Sequence, residues 1–211
     1  MKNLLLALLA LILVQPGLSL AAEKDAGAQY QQLLAAAKAG EPVDYAALRY
    51  AYAATPSASL LNDDTRRAMF TAANSGDWAG ALTFANKVIE NNYTDGTAHL
   101  VAAIAYKKAG KEEDAKREAT IADGLFKSIQ TGDGLTPETA FTVISVSEEY
   151  ALLNYMGMDV QSQALSHIGE HSYDVMTVTD ESGKTFVYYF NIDIVWAAEA
   201  KMMGAMGLGG E

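Results

Sequence analysis

Tyr173-Asp174-Val175-Met176-Thr177-Val178-Thr179 and Thr185-Phe186-Val187-Tyr188-Tyr189-Phe190-Asn191-Ile192 decide the fold class. Both runs are β-branched and aromatic, the side chains that pack well on a pleated surface. Asp180-Glu181-Ser182-Gly183-Lys184 between them is a polar turn, so the pair is predicted to form a β-hairpin. The second run is apolar on both faces, with Phe186, Tyr188, Phe190 and Ile192 on one and Val187 and Tyr189 on the other. A two-stranded hairpin is marginal in water by itself. One face therefore needs cover from the helix around residues 119–129. The other needs residues 141–145, a strand over 161–168 and a helix over 147–156. On this reasoning the halves of the chain form one cooperative unit.

Upstream of the hairpin the chain is rich in alanine, with apolar residues at helical spacing. Helices are predicted over residues 25–39, 43–54, 78–91, 96–109 and 112–129, with another from Asn62 or Asp63 to Asn74. Gly40 and Pro56 stop the first two. Placing Gly76 over Gly110 brings Ala81 onto Ala115 and Ala85 onto Ala119, an offset of 34 residues each time. The order Ala103, Tyr106, Gly110, Ala115, Ala119, Ala122 resembles the tetratricopeptide repeat, in which small residues sit where two helices cross and Gly makes the turn between them. His99 and Ala119 occupy the places of that repeat's usual Trp and Phe anchors. The expected fold class is α+β: an N-terminal array of antiparallel, tetratricopeptide-like helical hairpins followed by a small antiparallel β-sheet. The expected organisation is a helical-repeat region over 22–135, a small α+β region packed on it over 136–198, and a flexible tail over 199–211.

Residues 1–21 have the pattern of a signal peptide. Lys2 precedes an apolar run over residues 4–14, Pro16-Gly17 breaks it, and Ser19-Leu20-Ala21 offers small residues for cleavage. The run of 11 residues is short of the roughly 20 that span a bilayer. The protein is thus expected in the periplasm or outside the cell. It has no cysteine, which removes disulfides, thiolate metal sites and a lipid-modified N-terminus. The formal net charge of −11 repels phosphate backbones and anionic lipid, so neither nucleic acid nor, after cleavage, a membrane is an expected partner. An apolar fraction of 50% argues against disorder.

Four groups of residues also resemble one uncharacterised bacterial family, domain of unknown function 4919. They are Asp44-Tyr45 with Leu48-Arg49, Tyr52 and Pro56; Asn92-Tyr93 with Ala98-His99; Gly132-Asp133-Gly134 with Ala140-Phe141, Val143-Ile144 and Glu148-Glu149-Tyr150; and Tyr173-Asp174-Val175 with Gly183 and Tyr189-Phe190-Asn191-Ile192. The resemblance implies an exported bacterial protein of about this size and no catalytic residues. One departure is Ser57-Ala58 after Pro56, where it calls for an aromatic residue nearby.

Two sites merit testing. His167-Ile168-Gly169-Glu170-His171 spells the inverted zinc-peptidase motif, which needs both imidazoles on one helical face. Gly169 at its centre and a strand starting at Tyr173 favour a turn instead; a metal-dependent hydrolase built on His167, Glu170 and His171 is the alternative function. Asp44, Tyr45, Arg49 and Tyr52 are the leading binding residues. Tyr45, Leu48 and Tyr52 share a helical face, and Arg49 sits one turn beyond Tyr45. They would either recognise a partner or form a core face with Arg49 paired to an Asp. Adjacent Glu148 and Glu149 point about 100° apart on a helix and favour its positive end. No constellation calls for a cofactor or metal. The leading reading is a non-enzymatic module of the bacterial envelope that binds a peptide or protein partner. Intact-mass measurement of protein from the envelope fraction should place the mature N-terminus at Ala22 or Glu23; retention of Met1 would mean an anchored protein.

Overall fold

The computed structural model describes residues 16–59 and 63–205. The apolar run over 4–14, Asn62 as a cap, and the end of the tail from 206 lie outside them. Eight α-helices and a four-stranded sheet make up the described chain: α1 (Pro16–Lys38), α2 (Tyr45–Ala53), α3 (Asp63–Asn74), α4 (Trp78–Asn91), α5 (Gly96–Lys108), α6 (Glu112–Ile129), β1 (Phe141–Thr142), α7 (Val146–Tyr155), β2 (Asp159–Ile168), β3 (His171–Thr179), β4 (Thr185–Asn191) and α8 (Asp193–Ala205). No helix among the described residues is long and apolar enough to cross a membrane.

Aspartates cap the starts of α2, α4 and α5, and left-handed glycines follow α1, α3, α5 and α7. Asp44 accepts hydrogen bonds from the amides of Ala46 and Ala47 at 2.9 and 3.1 Å, Asp77 from Gly80 at 2.9 Å and Asp95 from Ala98 at 2.9 Å. Gly76 and Gly110 make the α3–α4 and α5–α6 turns with φ of 79° and 72°, the left-handed conformation that glycine adopts freely. The offset between the two hairpins does not extend to their packing. Ala81, Ala85 and Ala115 are buried, but Ala119 is exposed. The inward stripe of α6 runs through Ala115, Glu118, Ala122, Leu125 and Ile129, which leaves Ala119 beside it. His99 is fully buried in α5, with Nδ1 2.7 Å from Glu118 and Nε2 3.0 Å from the Tyr93 carbonyl. Both nitrogens thus face acceptors.

Helix α6 packs in two directions. Ile121 and Leu125 join Tyr30, Leu48 and Tyr52 of α1 and α2. Ala122, Phe126 and Ile129 join Leu152 and Leu153 of α7 and Met176, Val178 and Phe190 of the sheet. A third cluster, around Met69, Ala85 and Ala102, holds α3, α4 and α5 together.

The sheet order is β1-β4-β3-β2, and it is mixed rather than wholly antiparallel. β2, β3 and β4 form an antiparallel meander, whereas β1 pairs parallel with β4 through Phe141↔Phe190 and Thr142↔Asn191. The cause is α7. A helical crossover returns the chain to the end it left, so β1 and β2 run in one direction. Two antiparallel steps later β4 has that direction too. The strand expected over 141–145 shortens to β1 because Ser145 is already the cap of α7.

The outer face of the sheet is not covered as expected. α7 lies on the same side as α6, and β1 and β2 are in-plane neighbours, so Val187 remains 40% exposed. The tail expected over 199–211 continues as helix to Ala205, in keeping with its run of Ala, Met and Glu.

Gly124 lets α2 and α6 close. A Cβ there would clash with the edge of the Tyr45 ring. Gly124→Ala should therefore destabilise by about 1–2 kcal/mol even though alanine favours helix. A urea midpoint equal to or above that of the parent would show that the Tyr45 ring moves aside freely.

Candidate functional site

The four binding residues expected on α2 part company in the structure. Asp44 caps its own helix and does not reach Arg49. Tyr45, half-buried, lies on Gly124 of α6. Tyr52 is buried against Tyr30 at 5.4 Å between ring centres, and burial first of all pushes its hydroxyl up to about 12. Arg49 has no exposed surface. Its Nε donates to Glu148 Oε1 at 2.8 Å and its Nη2 to Glu148 Oε2 at 2.5 Å and to the Thr142 carbonyl at 2.9 Å. Nη1 donates to the Ser128 carbonyl at 2.9 Å and its hydroxyl at 3.3 Å. All five N–H groups of the guanidinium are thus matched inside the protein. A ligand has no way to Arg49, and its ion-pair partner is Glu148 rather than an Asp.

The His167/Glu170/His171 cluster does not assemble either. It forms the β2–β3 hairpin, with His167 opposite Ser172 and Ile168 opposite His171. Consecutive strand residues point to opposite faces, so the two imidazoles lie on opposite sides of the sheet. His167 Nδ1 is 3.0 Å from the Ser172 hydroxyl and His171 Nδ1 is 2.6 Å from Asp193 Oδ2. The motif needs i and i+4 spacing on a helix; the turn at Gly169, with φ of 63°, removes it. Among the described residues no group of three His, Cys, Asp or Glu side chains is placed to hold a metal.

The arrangement best suited to binding lies where the helical array meets the sheet. A cleft runs between α3, α5, α7 and α8. Its outer part has a volume of about 590 Å³, within the range of ligand sites. Phe70, Leu100, Val146, Tyr150, Ala151 and Val195 make it mainly apolar. Phe70, Val146 and Tyr150 stay 38%, 40% and 43% exposed around it. Large apolar side chains gathered at one concave place, rather than scattered, make this the candidate site. The inner end narrows and is the more polar part, with Thr97, Ser145, Ser147 and Glu148 along its walls beside Leu125 and Ile129. Arg66 stands between the two parts, 3.2 Å from Asp95 and with its guanidinium 5.4 Å from the centre of the Phe70 ring.

Sequence reasoning did not find this cleft. Its residues come from five helices and two connecting segments, and each looks like an ordinary position when its own segment is considered alone. The one usable signal was Glu148-Glu149-Tyr150, where adjacent acids were expected to point apart. Glu148 turns to Arg49 and accepts the Ile144 amide at 2.9 Å. Glu149 turns inward and is fully buried. Neither of its carboxyl oxygens has a hydrogen-bond partner among the described residues. Burial first, then the Asp174 carboxylate, then Glu148, push the Glu149 carboxyl up to about 9.

Compared with known families, residues 30–201 match the model of a domain of unknown function, DUF4919. No curated protein and no solved structure matches the chain.

Glu149 makes folding pH-dependent in a definite direction. In the unfolded chain it titrates near its ordinary 4.5, in the folded chain near 9. Between these values the folded state holds the extra proton, so stability is greatest at the acid end of the window and falls as pH rises, by up to about 1.4 kcal/mol per pH unit. Glu149→Gln, neutral throughout, should flatten the dependence of the urea midpoint on pH between 5 and 9. A variant whose slope matches the parent's would assign the dependence to other groups.

Proposed function

We propose that this chain, which belongs to the DUF4919 family, is a non-enzymatic binding module of the bacterial envelope that takes an apolar stretch of a partner polypeptide into the cleft between α3, α5, α7 and α8. The observation that carries this reading is the convergence of exposed Phe70, Val146 and Tyr150 on one cavity of about 590 Å³. Burying such side chains gives non-directional attraction proportional to area. The polar groups at the inner end, Thr97, Ser145 and Ser147, would meet the peptide backbone or a polar side chain. The net charge of −11 favours a partner with cationic residues flanking its apolar stretch.

The α3–α4 and α5–α6 hairpins act in this proposal as tetratricopeptide-like units. Gly76 and Gly110, 34 residues apart, stand at equivalent turns in support of that reading. Stacked helical hairpins present concave surfaces of the kind that bind peptides. The signal-like N-terminus supports export, and the absence of cysteine means that the exported domain rests on packing alone.

Peptides selected from a displayed random library on the mature protein should carry an apolar core with Lys or Arg beside it. Their affinity should drop roughly tenfold or more in Val146→Asp and Phe70→Asp, since each introduces an unpaired charge into a desolvated contact. Both positions are exposed, so the urea midpoints should stay near the parent's. Selected peptides that bind these variants as tightly as the parent would place the binding surface elsewhere.

A further inference from the structure

Beneath one wall of the cleft lies a pair of acids whose arrangement makes little sense as static packing. Glu149, in the first turn of α7, is fully buried with both carboxyl oxygens unpartnered among the described residues. Asp174, on the inner face of β3 and 6% exposed, acts on it directly. An ionised carboxylate is strongly disfavoured there, and two side by side more so. A proton on Glu149 resolves the conflict, since a protonated carboxyl can donate towards Asp174 where an ionised one can only accept.

This pair is wired to the cleft. Asp174 Oδ2 accepts a hydrogen bond from Gln163 Nε2 at 2.6 Å. Gln163 Oε1 accepts one from the Tyr150 hydroxyl at 2.6 Å. Tyr150 follows Glu149 on α7 and lines the cleft. One hydrogen-bonded chain therefore runs from Asp174, beside Glu149, through Gln163 of β2 to Tyr150 on the cleft wall. We propose that Glu149 holds one proton against the Asp174 carboxylate, that this proton clamps α7 to the sheet, and that losing it loosens α7 and withdraws the Tyr150 wall of the cleft. The proposal rests on the cleft being the binding site.

The other charges nearby do not offset the loss. Glu148, the neighbour on α7, is occupied by Arg49. From α6, Asp123 and Lys127 pair with each other and reach only Tyr155 at the far end of α7. From α8, Glu199 lines the cleft and adds negative charge. From β2, Gln163 is neutral and His167 bonds to Ser172. No cation among these groups is free to compensate a second carboxylate beside Asp174.

The test uses the mature chain and the neutral apolar dye N-phenyl-1-naphthylamine, titrated at intervals from pH 7 to pH 10. Carbon-13 shifts of the Glu149 carboxyl and amide exchange of α7 are followed on the same samples. In the parent, dye affinity should fall roughly tenfold or more as Glu149 ionises, and α7 amides should exchange correspondingly faster than in Glu149→Gln. Glu149→Gln should hold dye affinity constant over this range. Tyr150→Phe leaves both acids in place but cuts the link to Gln163. It should keep the Glu149 titration, and with it the loosening of α7 and the pH dependence of dye binding. Equal pH profiles for the parent and Glu149→Gln would overturn the proposal, as would α7 exchange in Tyr150→Phe that no longer follows the Glu149 titration. Absence of dye binding at every pH would sink the cleft as the binding site, whereas dye binding without any change in α7 exchange would sink the proton clamp alone.

Discussion

The guanidinium of Arg49 is the point on which four elements meet. It sits on α2, reaches the last turn of α6 at Ser128, the end of β1 at Thr142 and the first turn of α7 at Glu148. Burying a charge is costly unless every donor is matched, and removing one partner of such a pair typically costs about 3–5 kcal/mol. Here the matching is complete, so the array and the sheet cannot separate without exposing or orphaning the charge. The planar fork of arginine is what allows one side chain to hold a carboxylate and two backbone carbonyls at once; lysine, a point charge with three donors, could not.

Around that point the architecture follows from α6. An 18-residue helix has enough turns for two apolar stripes, and α6 uses them on different neighbours. Ile121 and Leu125 serve the first helices, Ala122, Phe126 and Ile129 the sheet. The inner face of the sheet, apolar at Met176, Val178 and Phe190, is covered by this helix and by α7 together. The opposite face has no equivalent layer among the described elements, which is why Val187 stays exposed while Phe190, three residues later, does not.

α7 connects structure to the proposed function. As a crossover it fixes the parallel pairing of β1 with β4. Its Glu148 secures Arg49, its Glu149 faces the sheet interior, and Val146 and Tyr150 line the cleft. These four residues lie within five consecutive positions and point in different directions because a helix turns about 100° per residue. A single stretch of helix thus carries the Arg49 ion pair, the buried acid and part of the cleft wall.

Local sequence determined a large share of the fold. The hairpin over β3 and β4 was legible because its side chains are β-branched and aromatic and its turn is polar. Helices α4 and α6 were legible to the residue, Trp78–Asn91 and Glu112–Ile129, since caps, glycines and apolar spacing are local signals. The 34-residue spacing of Gly76 and Gly110 correctly located two turns, but not whether Ala119 would be inward. That depends on the phase of the α6 stripe against neighbours far away in the chain. The site was less legible. Arg49 stood out on α2, yet its partner Glu148 lies 99 positions away, and no spacing rule links residues at that distance. His167-x-x-Glu170-His171 spelled a motif whose chemistry needs a helix, and strand pairing put its histidines on opposite faces. The cleft and the Glu149–Asp174 pair were decided by tertiary structure alone. Burial and juxtaposition arise only when α3, α5, α7 and α8 are brought against one another and against the sheet, and no segment of the sequence contains that information by itself.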